Sequence, residues 1–169
     1  GKGMVVGTDG LLVVLAEGCL AAARRESPLG ELNVAGDGAL PDRSAAIVLE
    51  AIEPFLGPTV PCGQSFQAEL LRMRGELLLA RDGLAAADEA LACFDHGLRL
   101  AREKGALAWE LRAVMSIVRL RTRQGEAYVG ELAEARTRLA EVYGRFAEGF
   151  AFPDLQDAAA LLEVGERMS

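Results

Sequence analysis

Apolar residues recur at the helical period of about 3.6 residues along nearly the whole chain. The segment around residues 64–81 carries two apolar stripes, which predicts a helix buried on two sides. The segment around 85–104 carries one stripe and predicts a helix with a single buried face. No segment alternates apolar and polar residues as a half-buried strand does. The sequence therefore predicts an all-α fold.

Turn signals divide the chain into seven predicted helices. Gly105 suits the left-handed position after a helix, and Pro153 suits a helix's first turn. Residues 26–41 have no helical period and are rich in Gly, Pro and small residues, so this loop is predicted to be mobile or poorly packed. The predicted helices cover about 11–22, 43–56, 64–81, 85–104, 107–124, 132–146 and 153–167, and the second is expected to stop near Pro54.

Helix–turn–helix units follow one another about every 40–45 residues. Such units stack because none can bury its apolar face alone. We expect residues 8–169 to form one helical-repeat domain, preceded by a tag or linker remnant at 1–7. Its units are about 8–57, 64–105 and 106–148, with a capping helix at 153–167.

Glycine inside a helix costs about 1 kcal/mol relative to alanine, so Gly75 in the third helix needs a reason. Close packing where the two helices of a unit cross supplies one, because a large side chain would hold them apart. Ser116 lies at the comparable point of the next unit. The residues predicted to serve this packing are Gly75, Ala90, Phe94, Gly97, Ser116 and Leu139.

The small and apolar positions resemble the tetratricopeptide repeat, although Val142 replaces a small residue and the consensus Trp and Tyr of the first helix are missing. The blocks "ELLRMRGELLLA" and "YGRFAEGF", followed by "PDL", resemble the C-terminal tetratricopeptide-like region of bacterial multidomain signalling ATPases. These are adenylate or guanylate cyclase–ATPase proteins and related LuxR-type transcription regulators. The resemblance covers about 66–163 and implies a right-handed superhelical solenoid. It also implies a parent protein whose cyclase or ATPase domain lies outside this chain.

Composition bears on partners and location. The net charge of −7 argues against direct binding of nucleic acid, which favours a basic surplus. The longest apolar run, 11–16, is far shorter than the roughly 20 residues of a membrane span, and no signal peptide is recognisable. Three scattered cysteines, Cys19, Cys62 and Cys93, suggest a reducing cytoplasm.

No catalytic, cofactor or metal site is predicted. The P-loop pattern is missing, and one histidine with three scattered cysteines does not supply a zinc site. Cys93 and His96 lie one helical turn apart and could pair as nucleophile and base. A core cysteine and a surface histidine explain the same pattern, because Phe94 belongs to a packed stripe.

The predicted function is a non-catalytic protein-interaction and regulatory module. Trp109 either packs between units or anchors a partner. A basic groove could bind an acidic peptide or a nucleotide phosphate. The partner is a protein or peptide, which includes other domains of the parent and a second copy. The alternative is a small-ligand sensor that uses the groove. The candidate groove residues are Arg72, Arg74, Trp109, Arg112, Arg119 and Arg123.

Overall fold

A computed structural model of the protein describes residues 42–57 and 66–166. All regular structure in these two ranges is helical, and no strand occurs within them. The all-α prediction is therefore confirmed for the described part of the chain. The predicted helix at 11–22, the loop at 26–41 and the leading segment 1–7 lie outside the described residues, as do Cys19 and Cys62.

Six α-helices and three short 3-10 turns make up the described chain. Their bounds lie within four residues of those predicted for the last six helices. The first described helix ends at Ile52, because the ring of Pro54 would clash with the carbonyl four residues before it in a continued α-helix. The chain therefore continues as a 3-10 turn at Glu53–Phe55. The helices are α1 (Asp42–Ile52), α2 (Gln67–Asp82), α3 (Ala87–Glu103), α4 (Leu107–Gln124), α5 (Val129–Tyr143) and α6 (Pro153–Glu166).

The chain divides into two compact units, and the division falls within α3, between Cys93 and Phe94. In the first unit, α1 packs against α2. The α2 helix is buried on more than one side, as its two apolar stripes predict. Among the described residues, a hydrophobic cluster in this unit includes Ala45, Val48, Leu49, Ile52, Leu70, Met73, Leu77, Leu78, Ala86 and Cys93.

In the second unit, each of α4, α5 and α6 packs against the other two. A single residue and the 3-10 turn Glu126–Tyr128 join α4 to α5, so these helices fold back on each other as an antiparallel pair. The buried apolar side chains of the three helices include Leu111, Val114, Val118, Ala135, Leu139, Val142, Leu155 and Ala158.

The turn after α3 has the hydrogen bonds of a Schellman motif. The Ala106 N–H donates to the Ala101 carbonyl over 2.9 Å, and the Gly105 N–H donates to the Arg102 carbonyl over 3.1 Å. Gly105 has φ +66°, a conformation that L-residues other than glycine rarely adopt. This confirms the predicted role of Gly105. The tight turn also starts α4 only two residues later, which brings its first turn close to Arg102.

Candidate functional site

Arg72, predicted to line a groove, is buried in an ion network on its own helix. Its Nε and Nη2 donate to the two carboxylate oxygens of Glu69 over 3.0 and 2.8 Å, and its Nη1 donates to Glu76 over 3.4 Å. Its side chain is 8% exposed. This burial leaves Arg72 little surface for a partner.

Arg74 joins three elements of the first unit. Its Nε donates to Glu53 over 3.0 Å, and its Nη2 donates to Glu89 over 2.8 Å. Its Nη1 donates to the Cys93 sulfur over 2.9 Å. Arg74 thus ties α2 to the 3-10 turn after α1 and to the first half of α3.

Cys93 is a buried thiol. Burial raises its pKa, and although the hydrogen bond and positive charge of Arg74 act in the opposite direction, the net pKa lies above the ordinary value. The thiol is therefore protonated at neutral pH, whereas a nucleophilic cysteine needs the thiolate. His96 is half-buried one turn later. These observations favour a core role for Cys93.

The raised pKa of Cys93 makes its contribution to stability dependent on pH. The unfolded thiol ionises first, near pH 8.5, so the unfolded chain then binds fewer protons than the folded one. The stability contributed by Cys93 is therefore complete below about pH 8.5 and is lost as pH rises through the folded pKa. We expect the difference in unfolding free energy between Cys19→Ser/Cys62→Ser and the same chain with Cys93→Ala to shrink between pH 7 and pH 10. Urea titrations at each pH measure it, and a difference that stays constant or grows would contradict the assignment.

Two of the predicted groove residues on α4 form hydrogen bonds with carboxylates of α6. The Arg112 Nε donates to Asp154 over 2.7 Å, and the Arg119 Nη2 donates to Asp157 over 3.0 Å. The later arginine of α4 pairs with the later aspartate of α6, so the two helices run in roughly the same direction. Arg112 and Arg119 therefore connect α4 to α6 through two ion pairs.

Trp109 and Arg123, at opposite ends of α4, complete the predicted groove set. Trp109 is half-buried and Arg123 is exposed. Arg72 and Arg74 belong to the first unit, and the α4 residues belong to the second. The residues predicted to serve helix packing are all buried: Gly75, Ala90, Phe94, Gly97, Ser116 and Leu139.

An open polar pocket that was not predicted from the sequence lies in the second unit. Its volume is about 320 Å³, and its lining residues are Arg102, Glu110, Glu141, Val142 and Arg145. The Glu110 carboxylate accepts hydrogen bonds from two arginines of this lining. Arg102 Nε donates to Oε1 over 2.8 Å, and Arg145 Nη1 donates to Oε2 over 2.7 Å. We call this the Arg102–Arg145 pocket.

Burial differs sharply within this pocket. The Glu110 side chain is 4% exposed, whereas those of Arg102 and Arg145 are 48% and 54% exposed. Glu110 lies in the first turn of α4, and Arg145 follows the C-terminus of α5. A negative charge is favoured at the start of a helix and a positive charge at its end. One signal could have located Glu110: it lies four residues before the apolar Val114, and residues four apart share one face of a helix.

The arginines of the pocket keep unused donors. Within the described chain, Arg102 Nη1 and Nη2 and Arg145 Nε and Nη2 make no hydrogen bonds. Arginine stays protonated in proteins, so these groups can bind an anion but cannot exchange a proton with it. This arrangement is suited to binding an anion and not to acid–base catalysis by the arginines.

Aromatic residues concentrate in the sequence around Arg145. The chain has one Trp, two Tyr and six Phe, and four of these lie between positions 143 and 152. Phe150 and Phe152, in the connection from α5 to α6, are 49% and 68% exposed. The Tyr143 and Phe150 rings are tilted by 60° with centroids 5.8 Å apart, a geometry typical of paired aromatics. We call residues 144–152 the aromatic connection.

The described residues contain no candidate metal site and no candidate membrane span. No group of three or more His, Cys, Asp or Glu side chains there could hold a metal ion. No helix in the same residues is both long and apolar enough to cross a membrane.

Comparison of the chain with protein-family models, curated proteins and solved structures gives no match. The resemblance to tetratricopeptide-like regions of signalling ATPases therefore rests on the quoted residues alone.

Proposed function

We propose that this chain is a tetratricopeptide-like interaction module that binds a peptide and regulates a larger cytoplasmic bacterial signalling protein. The observation that carries the proposal is the exposure of Phe150 and Phe152 on the aromatic connection. Aromatic side chains, Phe included, are enriched at protein interfaces, because each buries a large area at a small cost in conformational entropy.

The helical arrangement supports this proposal. In a tetratricopeptide solenoid, a helix packs against its antiparallel partner and also against the first helix of the next unit. Contacts of α4 with both α5 and α6 support such an arrangement in the second unit. The buried small residues Gly75, Ala90, Gly97 and Ser116 agree with close helix packing in such units.

A small-ligand sensor is the second candidate. The cavity volume of about 320 Å³ favours it, since pockets for small molecules begin near this size. The lining is mostly charged, whereas most such pockets are largely apolar. We therefore prefer the interaction module.

Selection from a phage-displayed library of random peptides tests the proposed function. We expect peptides with aromatic or large aliphatic anchors to be enriched on the wild-type chain. They should bind the Phe150→Ser/Phe152→Ser variant at least tenfold more weakly, since truncating an interface anchor commonly costs 2 kcal/mol or more.

Val129→Ser is the matched control, because Val129 is an exposed apolar residue at the start of α5 (59% exposed), outside the aromatic connection. It should bind the selected peptides like the wild type. Failure to enrich any peptide, or equal binding by the double variant, would contradict the proposal.

A further inference from the structure

The Arg102–Arg145 pocket has the features of a preorganised anion site. The buried Glu110 carboxylate holds each guanidinium by one N–H, which fixes both long side chains before any ligand arrives. Ordering a flexible side chain opposes binding, and here the fold has already met that cost. The remaining N–H groups of each arginine suit the two oxygens of a carboxylate or a phosphate.

From these contacts we infer that the Arg102–Arg145 pocket binds a carboxylate carried by an acidic side chain of the peptide partner. The inference rests on the proposed function and names the chemistry that the pocket recognises. It assigns Arg102 and Arg145 to ligand binding and Glu110 to positioning them.

The charges around the pocket favour a carboxylate over a phosphate. The lining contains two arginines and two glutamates, Glu110 and Glu141, so its formal charges balance. A bound carboxylate adds one negative charge, whereas a phosphate monoester adds about 1.5 to 2 at neutral pH. The repulsion from Glu141 is therefore smaller for the carboxylate.

The aromatic connection limits the length of peptide needed to reach both features. Arg145 and Phe150 are five residues apart, so their Cα atoms are at most about 18 Å apart. An extended peptide rises about 3.3 Å per residue, so the first and last Cα atoms of a hexapeptide lie about 16.5 Å apart, and its two terminal side chains cover the remaining distance. One short segment with an apolar residue and an acidic residue can therefore contact both.

Two hexapeptides test this inference, with sequences FASASE and FASASQ and both termini blocked, so that the side chain is the only carboxylate. Nitrogen-15 NMR of the full chain follows the Nε–Hε signals of arginine. We expect FASASE to shift the signals of Arg102 and Arg145 and to bind roughly tenfold more tightly than FASASQ, as a charge-assisted hydrogen bond to arginine allows. Equal affinities, or shifts confined to other arginines, would overturn the inference.

Arg145→Gln should abolish the preference for FASASE. Arg138→Gln should keep it, since Arg138 is an equally exposed arginine of α5 whose nearest carboxylate oxygen, on Glu134, is 3.9 Å away. Circular dichroism verifies that both variants fold, and the wild-type titrations decide the question if Arg145→Gln does not. A preference for FASASE that survives in folded Arg145→Gln would also overturn the inference.

Sodium acetate and sodium phosphate separate the other possible ligands. Acetate that binds as tightly as FASASE would replace the peptide with a small carboxylic acid and support the sensor. Phosphate that binds more tightly than acetate would overturn the carboxylate assignment. Library peptides that need Phe150 and Phe152 but show no preference for acidic residues would overturn this inference and leave the proposed function intact. A library without any enriched peptide would instead count against the proposed function.

Discussion

Gly75→Leu is expected to lower the free energy of unfolding by about 1–3 kcal/mol, the usual cost of forcing a larger side chain into a packed site. Gly75 is buried in the middle of α2, so a leucine side chain there has to displace its neighbours. Helix propensity acts in the opposite direction and favours leucine by most of 1 kcal/mol. We expect overpacking to prevail, because leucine adds four carbon atoms to a site that holds none.

Gly130→Leu is the matched control for this substitution. Gly130 also lies within a helix, but it is exposed, and a Cβ added there meets no atom within 4 Å. Leucine at this position should leave stability unchanged or raise it, since only propensity acts. Gly75→Ala should be much milder than Gly75→Leu. Urea denaturation of the variants measures these differences, and a Gly75→Leu variant more stable than the wild type would refute close packing at Gly75.

The helices themselves could be predicted from the sequence because their signals are local. Apolar stripes, a proline in the first turn of α6 and a glycine after α3 each act within one or two helical turns. The two stripes of α2 likewise predicted burial on more than one side. The remaining errors are differences of a few residues at the helix ends, whereas the stop near Pro54 was expected and the chain there forms a 3-10 turn.

The pairing of charges could not be predicted from the sequence. The chain has 18 basic and 25 acidic residues, and which of them meet depends on how the helices are placed in space. Arg112 belonged to the predicted groove, yet it pairs with Asp154, which lies 42 positions later. Arg102 and Arg145, 43 positions apart, meet at one carboxylate. Helical periodicity carries no information about such long-range contacts.

The exposure of Phe150 and Phe152 could not be predicted from the sequence either. Both residues lie in a connection without a helical period, so no face could be assigned to them. Their aromatic character alone would suggest burial. Only the placement of α5 and α6 shows which rings stay in contact with solvent.

Replacing both arginines of the pocket, in Arg102→Ala/Arg145→Ala, is expected to destabilise the fold by about 3 kcal/mol or more. The reason is the carboxylate that remains: Glu110 is 4% exposed and would lose both of its cationic partners. A buried charge left without a partner typically costs 3–5 kcal/mol. The loss of the arginines themselves contributes less, since each is about half exposed and interacts with water in the folded and unfolded chain alike.

This asymmetry predicts a rescue. Adding Glu110→Met to the double variant removes the unpaired charge and keeps a side chain of similar length, so most of the lost stability should return. Arg123→Ala/Arg138→Ala is the control, because it removes two exposed arginines of the same unit and should change stability by no more than about 0.5 kcal/mol. Urea denaturation at neutral pH compares all four chains. A double variant at the pocket that loses no more stability than the control would contradict this prediction. Other groups would then stabilise the Glu110 carboxylate, and something other than this carboxylate would hold the two arginines in place.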